Sequence, residues 1–384
     1  MKKVYIIKTI RIYIMNTQPS LPNRRIKSID ALRGFDMFWI TGGKTLVSAL
    51  AVVPGFKWLV PIEGQMHHVP WNGFHFLDLI FPLFMFLSGV VIPFSLLSKI
   101  EKGALKNEMI RKVFKRMVTL IILGLIYNGV LEKGFSEARY VGVLGQIGIA
   151  YFFATFIVIY NKSLRNRLIW LAGILFSIAI IQLFIPVPGI GAGVLTPKGC
   201  INGYIDRAIL PGRLYFKIFD PEGTLCIVSA TGVTLLGSIV GNVLREKKIA
   251  DWVKVKYMVI IGFSLIVIAL TFSPFYPIIK NCWTSSFVLL TGGISTLLLA
   301  IFYTIIDILN WHRWSFFFRV IGMNSIFIYL LVKFIDTKEI AQYLLGWSTL
   351  GLGDYYHLAN VTGAITLVWL LLFFMYKKNI FLKV

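Results

Sequence analysis

Apolar residues run in long blocks along this chain, separated by short polar segments, and that pattern predicts helices rather than strands. Ten blocks can be drawn as spans, at residues 34–53, 74–97, 117–131, 141–160, 168–187, 223–244, 257–273, 285–306, 315–332 and 361–376. Each is long enough, or nearly so, for a hydrocarbon core of about 30 Å at about 1.5 Å per helical residue. A helix satisfies its own backbone in lipid, whereas a β-barrel would need alternating segments of about half this length. The third block is short, so Arg116 and Glu132 at its ends are expected to extend toward the interfaces. The expected fold is all-α, a polytopic integral membrane helix bundle of about ten transmembrane helices, with a tail over residues 1–23 and a single transmembrane domain over residues 24–384.

Composition agrees with the lipid bilayer as partner. Hydrophobic residues make up 57% of the chain and charged residues 15%, against about 25% charge in a soluble domain. A net charge of +22 would suit nucleic acid, but the basic residues sit in short loops between apolar blocks, where orientation bias accounts for them. With the N-terminus inside, the cytoplasmic segments hold 28 of the 39 Lys and Arg residues. Both termini are therefore expected in the cytoplasm, and the loop carrying His68 on the outer side. Lys8 and Arg11 interrupt the first apolar stretch and make it a poor signal-peptide core; a start at Met1 or at Met15 is left open. Cys200, Cys226 and Cys282 lack metal-ligand spacing, and a Cys200–Cys282 disulfide would need both thiols to face outward. Two long outer segments, residues 186–222 and 336–360, are rich in turn and aromatic residues and are candidate walls of a binding site.

The chemistry concentrates at the mouth of the second block, in His68-Val69-Pro70-Trp71-Asn72-Gly73. A neutral imidazole can accept a proton from an amine or attack a thioester, so His68 suits a general base or a nucleophile; an interfacial histidine that only meets water is the bland alternative. His67 is its neighbour and competitor, and no third ligand at recognisable spacing suggests a metal. Asn72, His75 and Asp78 recur every third residue and are expected on one face at the start of the second helix, with Asn72 well suited to cap it. A carboxylate inside a span is costly without partners, so Asp78 is functional or ion-paired; Lys44 raises the same question and could pair with Asp78 or Asp36. Asn324 within Gly322-Met323-Asn324-Ser325 is either a helix contact or a cavity residue. On the cytoplasmic face, Arg33, Lys115, Arg116 and Arg245 could meet a phosphorylated cofactor, although the positive-inside bias explains them equally.

Taken together, six patches resemble the heparan-α-glucosaminide N-acetyltransferase family: Ser28-Ile29-Asp30-Ala31-Leu32-Arg33-Gly34; His68 to Gly73 with Asp78-Leu79-Ile80-Phe81-Pro82; Gly203-Tyr204-Ile205-Asp206-Arg207; Asp220-Pro221-Glu222-Gly223; Asn281-Cys282-Trp283-Thr284-Ser285; and Gly322 to Ser325. Their order and rough spacing match as well, from about Arg24 to the last span. The resemblance implies a membrane-embedded acyltransferase that moves acetyl from cytosolic acetyl-CoA to the amine of a glucosamine-type sugar on the outer side. It also implies that His68 is the catalytic residue. Two places depart from the family: the stretch before His68 is longer, and Thr41-Gly42-Gly43-Lys44 stands where lysosomal members have an Asn.

The expected site is therefore catalytic His68 with Asp78 orienting the polar face; acceptor contacts from Trp71, Asn72, Asp206, Arg207, Asp220, Glu222, Asn281 and Asn324; and acetyl-CoA contacts from Arg33 and Arg116. No metal and no nucleic acid are expected. A homodimer is left open, and a bacterial inner membrane is the expected location. The alternative reading is a transporter for amino sugars or glycan fragments.

Overall fold

The computed structural model describes residues 26–346 and 351–382, so the tail over residues 1–23 and the question of Met1 or Met15 lie outside the described residues. In chain order the helices are α1 (Lys27–Phe38), α2 (Lys44–Val52), α3 (Phe76–Val90), α4 (Lys106–Tyr127), α5 (Val143–Tyr160), α6 (Leu164–Phe184), α7 (Ile201–Ile209), α8 (Thr224–Arg245), α9 (Asp251–Phe272), α10 (Ser285–Tyr303), α11 (Phe316–Gly322), α12 (Ser325–Phe334), α13 (Thr337–Leu345) and α14 (Tyr356–Lys377). Among the described residues, pairing between extended segments is limited to isolated bridges. Among the described residues seven helices are long and apolar enough to cross a membrane, or eight if the pair α11 and α12, bent by 75°, counts as one span. The all-α polytopic bundle is borne out, and the protein is an integral membrane protein.

Among the described residues three of the ten expected spans take another form. The first expected span is two helices separated by a π turn at Trp39–Gly43. The third is longer than its apolar block, because α4 starts at Lys106 and carries Glu108, Arg111, Lys112, Lys115 and Arg116 in its first half. The ninth breaks at Met323 and Asn324, between α11 and α12.

Two compact units result, one from the chain up to Gly64 together with Ile305–Val384, the other from Gln65–Thr304. In the first, α1 packs on α11 so closely that a Cβ on Gly34 would lie 1.7 Å from the Phe318 carbonyl oxygen. The Asp307 carboxylate takes the backbone N–H groups of Lys27 and Ser28 at 3.1 and 3.0 Å, so an anion meets the N-terminus of α1. Neither carboxylate oxygen of Asp36 accepts a hydrogen bond among the described residues, so the Lys44–Asp36 pair raised as a candidate does not form.

The second unit is organised around α8, with 83% of its most apolar stretch buried against 17% in the peripheral α9. Helices in lipid gain little from apolar burial against one another and rely on close backbone approach. That is what α3 and α8 achieve: a Cβ on Gly89 would lie 1.9 Å from the Thr234 carbonyl oxygen, and one on Gly237 would lie 2.0 Å from that of Phe86. Two buried hydroxyls of α8 bond within their own helix, Thr234 to Ala230 at 3.0 Å and Ser238 to Leu235 at 2.7 Å, which satisfies them without another helix.

Candidate functional site

Helix α3 begins at Phe76, later than its apolar block suggests, and His75 rather than Asn72 is its N-cap. Asp78 is thereby placed in the first turn, where its Oδ2 accepts the His75 backbone N–H at 3.0 Å and lies 3.4 Å from that of Val69. These bonds tether the His67–His75 loop to the helix and leave Oδ1 aimed at the loop. His68 Nδ1 meets Oδ1 at 2.7 Å, with Asp78 wholly buried and the His68 side chain 54% exposed.

A second segment closes on this pair. Asn72 forms an antiparallel bridge with Ile279, and Gly73 N–H donates to the Ile278 carbonyl at 3.0 Å, which carries Lys280 up to His68. Lys280 Nζ lies 3.2 Å from Asp78 Oδ1 and 2.8 and 3.3 Å from His68 Nδ1 and Nε2. Burial pulls the Lys280 ammonium below the ordinary lysine range, against the opposing charges of Asp78 and Glu222. The Lys280 segment is itself held from behind: Gln182 and Asn202 donate to the Cys282 carbonyl at 2.8 and 3.1 Å, and the Tyr276 hydroxyl donates to Gln182. Trp283 turns the chain at φ 47°, in the left-handed region, where its fully buried ring meets the edge of Phe81 at 5.5 Å.

Around this centre the other expected residues take distinct places. Trp71 donates its indole N–H to the Leu195 carbonyl at 2.6 Å and packs edge-on against Phe219, while the Asn72 side chain is exposed. Asp220 accepts two bonds from Arg139, at 2.7 and 2.5 Å, and Glu222 accepts a third. Burial opposes the Arg139 charge, but Asp220 and Glu222 outweigh it and hold the guanidinium above its ordinary value. Burial likewise raises the carboxyls of Asp206 and Glu222. Asp206 lies over the N-terminus of α8, its oxygens accepting Thr224 N–H at 2.9 Å and Asp220 N–H at 3.3 Å. Arg207 donates to the Ile218 carbonyl. Asn281 lies in the same turn as Lys280, its carbonyl 3.6 Å from the Cys226 thiol.

Asn324 and Arg33 are in the other unit. Asn324 donates to the Ile380 carbonyl at 3.2 Å and accepts from Leu382 N–H at 3.1 Å, tying down the last residues described. Arg33 lies 3.9 Å from Asp30. Arg116, on α4, lays its guanidinium over the Tyr151 ring at 4.5 Å. Cys200, Cys226 and Cys282 are buried free thiols, with Cys200 and Cys282 in one small apolar cluster with Ile279. Among the described residues no group of three or more His, Cys, Asp or Glu side chains is placed to hold a metal ion.

What this geometry can do follows from the carboxylate. An ionised Asp78 accepts only, so the proton between it and His68 sits on Nδ1, and the Nε2 lone pair is left for another proton. A histidine oriented through one nitrogen and keeping the lone pair of the other is the arrangement of a general base. Lys280, Arg139 and Gln182 complete the surroundings but were not singled out by sequence reasoning. The available signal was Lys280 itself, a basic residue on the side assigned outside and immediately before the Asn281–Ser285 patch.

A family model described as "Domain of unknown function (DUF5009)" matches residues 25–190. Among curated proteins, the chain is 27% identical to heparan-alpha-glucosaminide N-acetyltransferase of Mus musculus, over 83% of this chain and 56% of that protein. It is 26% identical to the protein of the same name from Homo sapiens, over 94% of this chain and 60% of that protein. The chain thus spans less than two thirds of the length of these relatives. The resemblance carried by the motif patches is borne out, with similarity over most of the chain.

Proposed function

We propose that the protein is a membrane-embedded N-acetyltransferase that moves acetyl from acetyl-CoA to the amine of a glucosamine-type sugar. The observation that carries this reading is the 2.7 Å contact of His68 Nδ1 with buried Asp78, in a chain similar over most of its length to relatives named as N-acetyltransferases. In the proposed reaction the acceptor nitrogen attacks the thioester carbonyl carbon, forming the C–N bond. His68 Nε2 takes a proton from that nitrogen. The C–S bond then breaks, and the leaving CoA sulfur takes the proton back, so the products are the N-acetyl sugar and free CoA. Asp78 positions the imidazole and compensates its charge while it holds the proton.

Acceptor recognition falls to the exposed side of the same loop, where Trp71 offers a half-buried ring and Asn72 a free-standing amide. Asp206, Asp220 and Arg207 build the wall from which Glu222 faces the Lys280 side. Arg116 serves the phosphates of CoA from the cytoplasmic side; its buried Nε donates to nothing among the described residues. The site opens outward and both termini are cytoplasmic, as the distribution of Lys and Arg supports. The bacterial inner membrane is the proposed location.

The test is purified protein with acetyl-CoA and a panel of amino sugars, reading free thiol as CoA is released. Release that depends on a free amino group, and disappears with N-acetylated sugars, supports the reading. Sugar accumulation in vesicles without acetyl-CoA, and no CoA release, would replace it with a transporter.

A further inference from the structure

Lys280 is the part of the site that the base mechanism above does not use. Asp78 already has His68 on one oxygen and backbone N–H groups facing the other, so its hydrogen bonding does not require an ammonium. The Lys280 side chain is only 18% exposed, and burial disfavours its charge. A neutral His68 carries no charge, so Asp78 pairs the ammonium at 3.2 Å through one hydrogen, and the two left over can meet a further negative charge. The reaction supplies one, since attack by an amine on a thioester turns the carbonyl oxygen into an oxyanion.

The placement fits that charge. With its proton directed to Asp78, Nδ1 accepts nothing from the ammonium, Asp78 Oδ1 at 3.2 Å accepts one hydrogen, and Nζ lies 3.3 Å from Nε2, beside the place the acceptor nitrogen would take. The oxyanion is two bonds from that nitrogen. We propose that Lys280 is a catalytic residue of the transfer, its ammonium donating a hydrogen bond to the oxyanion of the tetrahedral intermediate; the role rests on the acetyltransferase reading above. As the C–N bond forms, the carbonyl π pair moves to oxygen beside Nζ. As the intermediate collapses the pair returns, the C–S bond breaks, and the CoA sulfur leaves with the proton that His68 held. Lys280 remains protonated throughout, and no proton or electron is left over.

A working ammonium has a pH signature. The groups facing Lys280 are His68, Asp78 and Glu222. Because burial outweighs the two carboxylates, Lys280 loses its proton below the ordinary lysine range, and transfer should decline on the alkaline side as it does.

The experiment measures kcat and KM across pH for the native protein, Lys280→Met and Lys280→Arg, with acetyl-CoA and an amino sugar. Lys280→Met is expected to lower kcat about 10²- to 10³-fold with little change in either KM. Lys280→Arg is expected to keep measurable turnover and to shift the alkaline decline upward, because a guanidinium does not titrate there. If Lys280→Met fails to fold, judged by its thermal unfolding, the alkaline limb of Lys280→Arg decides. Near-native kcat in Lys280→Met, or an alkaline limb unmoved in Lys280→Arg, overturns the proposal while the acetyltransferase reading stands. No amine-dependent turnover by the native protein overturns both.

Discussion

At the scale of residues, the site depends on which nitrogen of His68 holds the proton. His68→Ala removes the proposed base and should lower transfer about 10²- to 10⁴-fold while acetyl-CoA still binds. His67→Ala should be far milder, because it is His68 whose ring meets the buried Asp78 carboxylate, at 2.7 Å. Asp78→Asn should resemble His68→Ala in rate, since an amide can turn its N–H toward Nδ1 and drive the ring proton to Nε2. An Asp78→Asn enzyme with native turnover would contradict the orienting role. Direct attack by the amine also predicts that acetyl-CoA alone leaves no acetyl on the quenched protein; stoichiometric label that disappears in His68→Ala would make His68 the nucleophile. His68 and Asp78 were legible in the sequence, one from its motif and the other from the penalty on a carboxylate at a span. Lys280 was not, because 212 residues separate it from His68 and it is brought there by the backbone pairing of Asn72 with Ile279 and Gly73 with Ile278.

At the scale of elements, the Asp206 carboxylate on α7 is fitted to the start of α8. A Cβ on Gly223 would lie 2.1 Å from an Asp206 carboxylate oxygen, so Gly223→Ala should destabilise the protein by about 1–3 kcal/mol through displaced packing, read as a lower unfolding temperature. The same burial gives a pH dependence. The folded Asp206 carboxyl titrates above its unfolded value, so the folded state holds more protons in that window and the contribution to stability fades as pH rises through the folded pKa. Asp206→Asn removes the titration, so the variant should gain on the native protein as pH climbs from about 4; a constant gap across that range would contradict the assignment. The long apolar blocks announced α5, α6, α8, α9, α10 and α14 directly. The breaks at Trp39–Gly43 and at Met323–Asn324 were not legible, because a run of apolar residues does not reveal where its backbone leaves the helix.

At the scale of the whole molecule, the proposed transfer would bring a cytoplasmic thioester to an acceptor at a loop on the other side. Cysteines introduced singly into a cysteine-free background at positions 67 and 213 should react with an impermeant reagent in intact cells, and one at position 106 only after permeabilisation; the reverse pattern would invert the orientation. The central claim is acetyl transfer by the His68 site, and its most direct measurement compares native protein, His68→Ala and His67→Ala for labelled acetyl passing from acetyl-CoA to an amino sugar. The account predicts N-acetyl sugar from the native protein and from His67→Ala, with product lost in His68→Ala although acetyl-CoA still protects that variant against unfolding. Equal product from all three, or product lost only in His67→Ala, would contradict it.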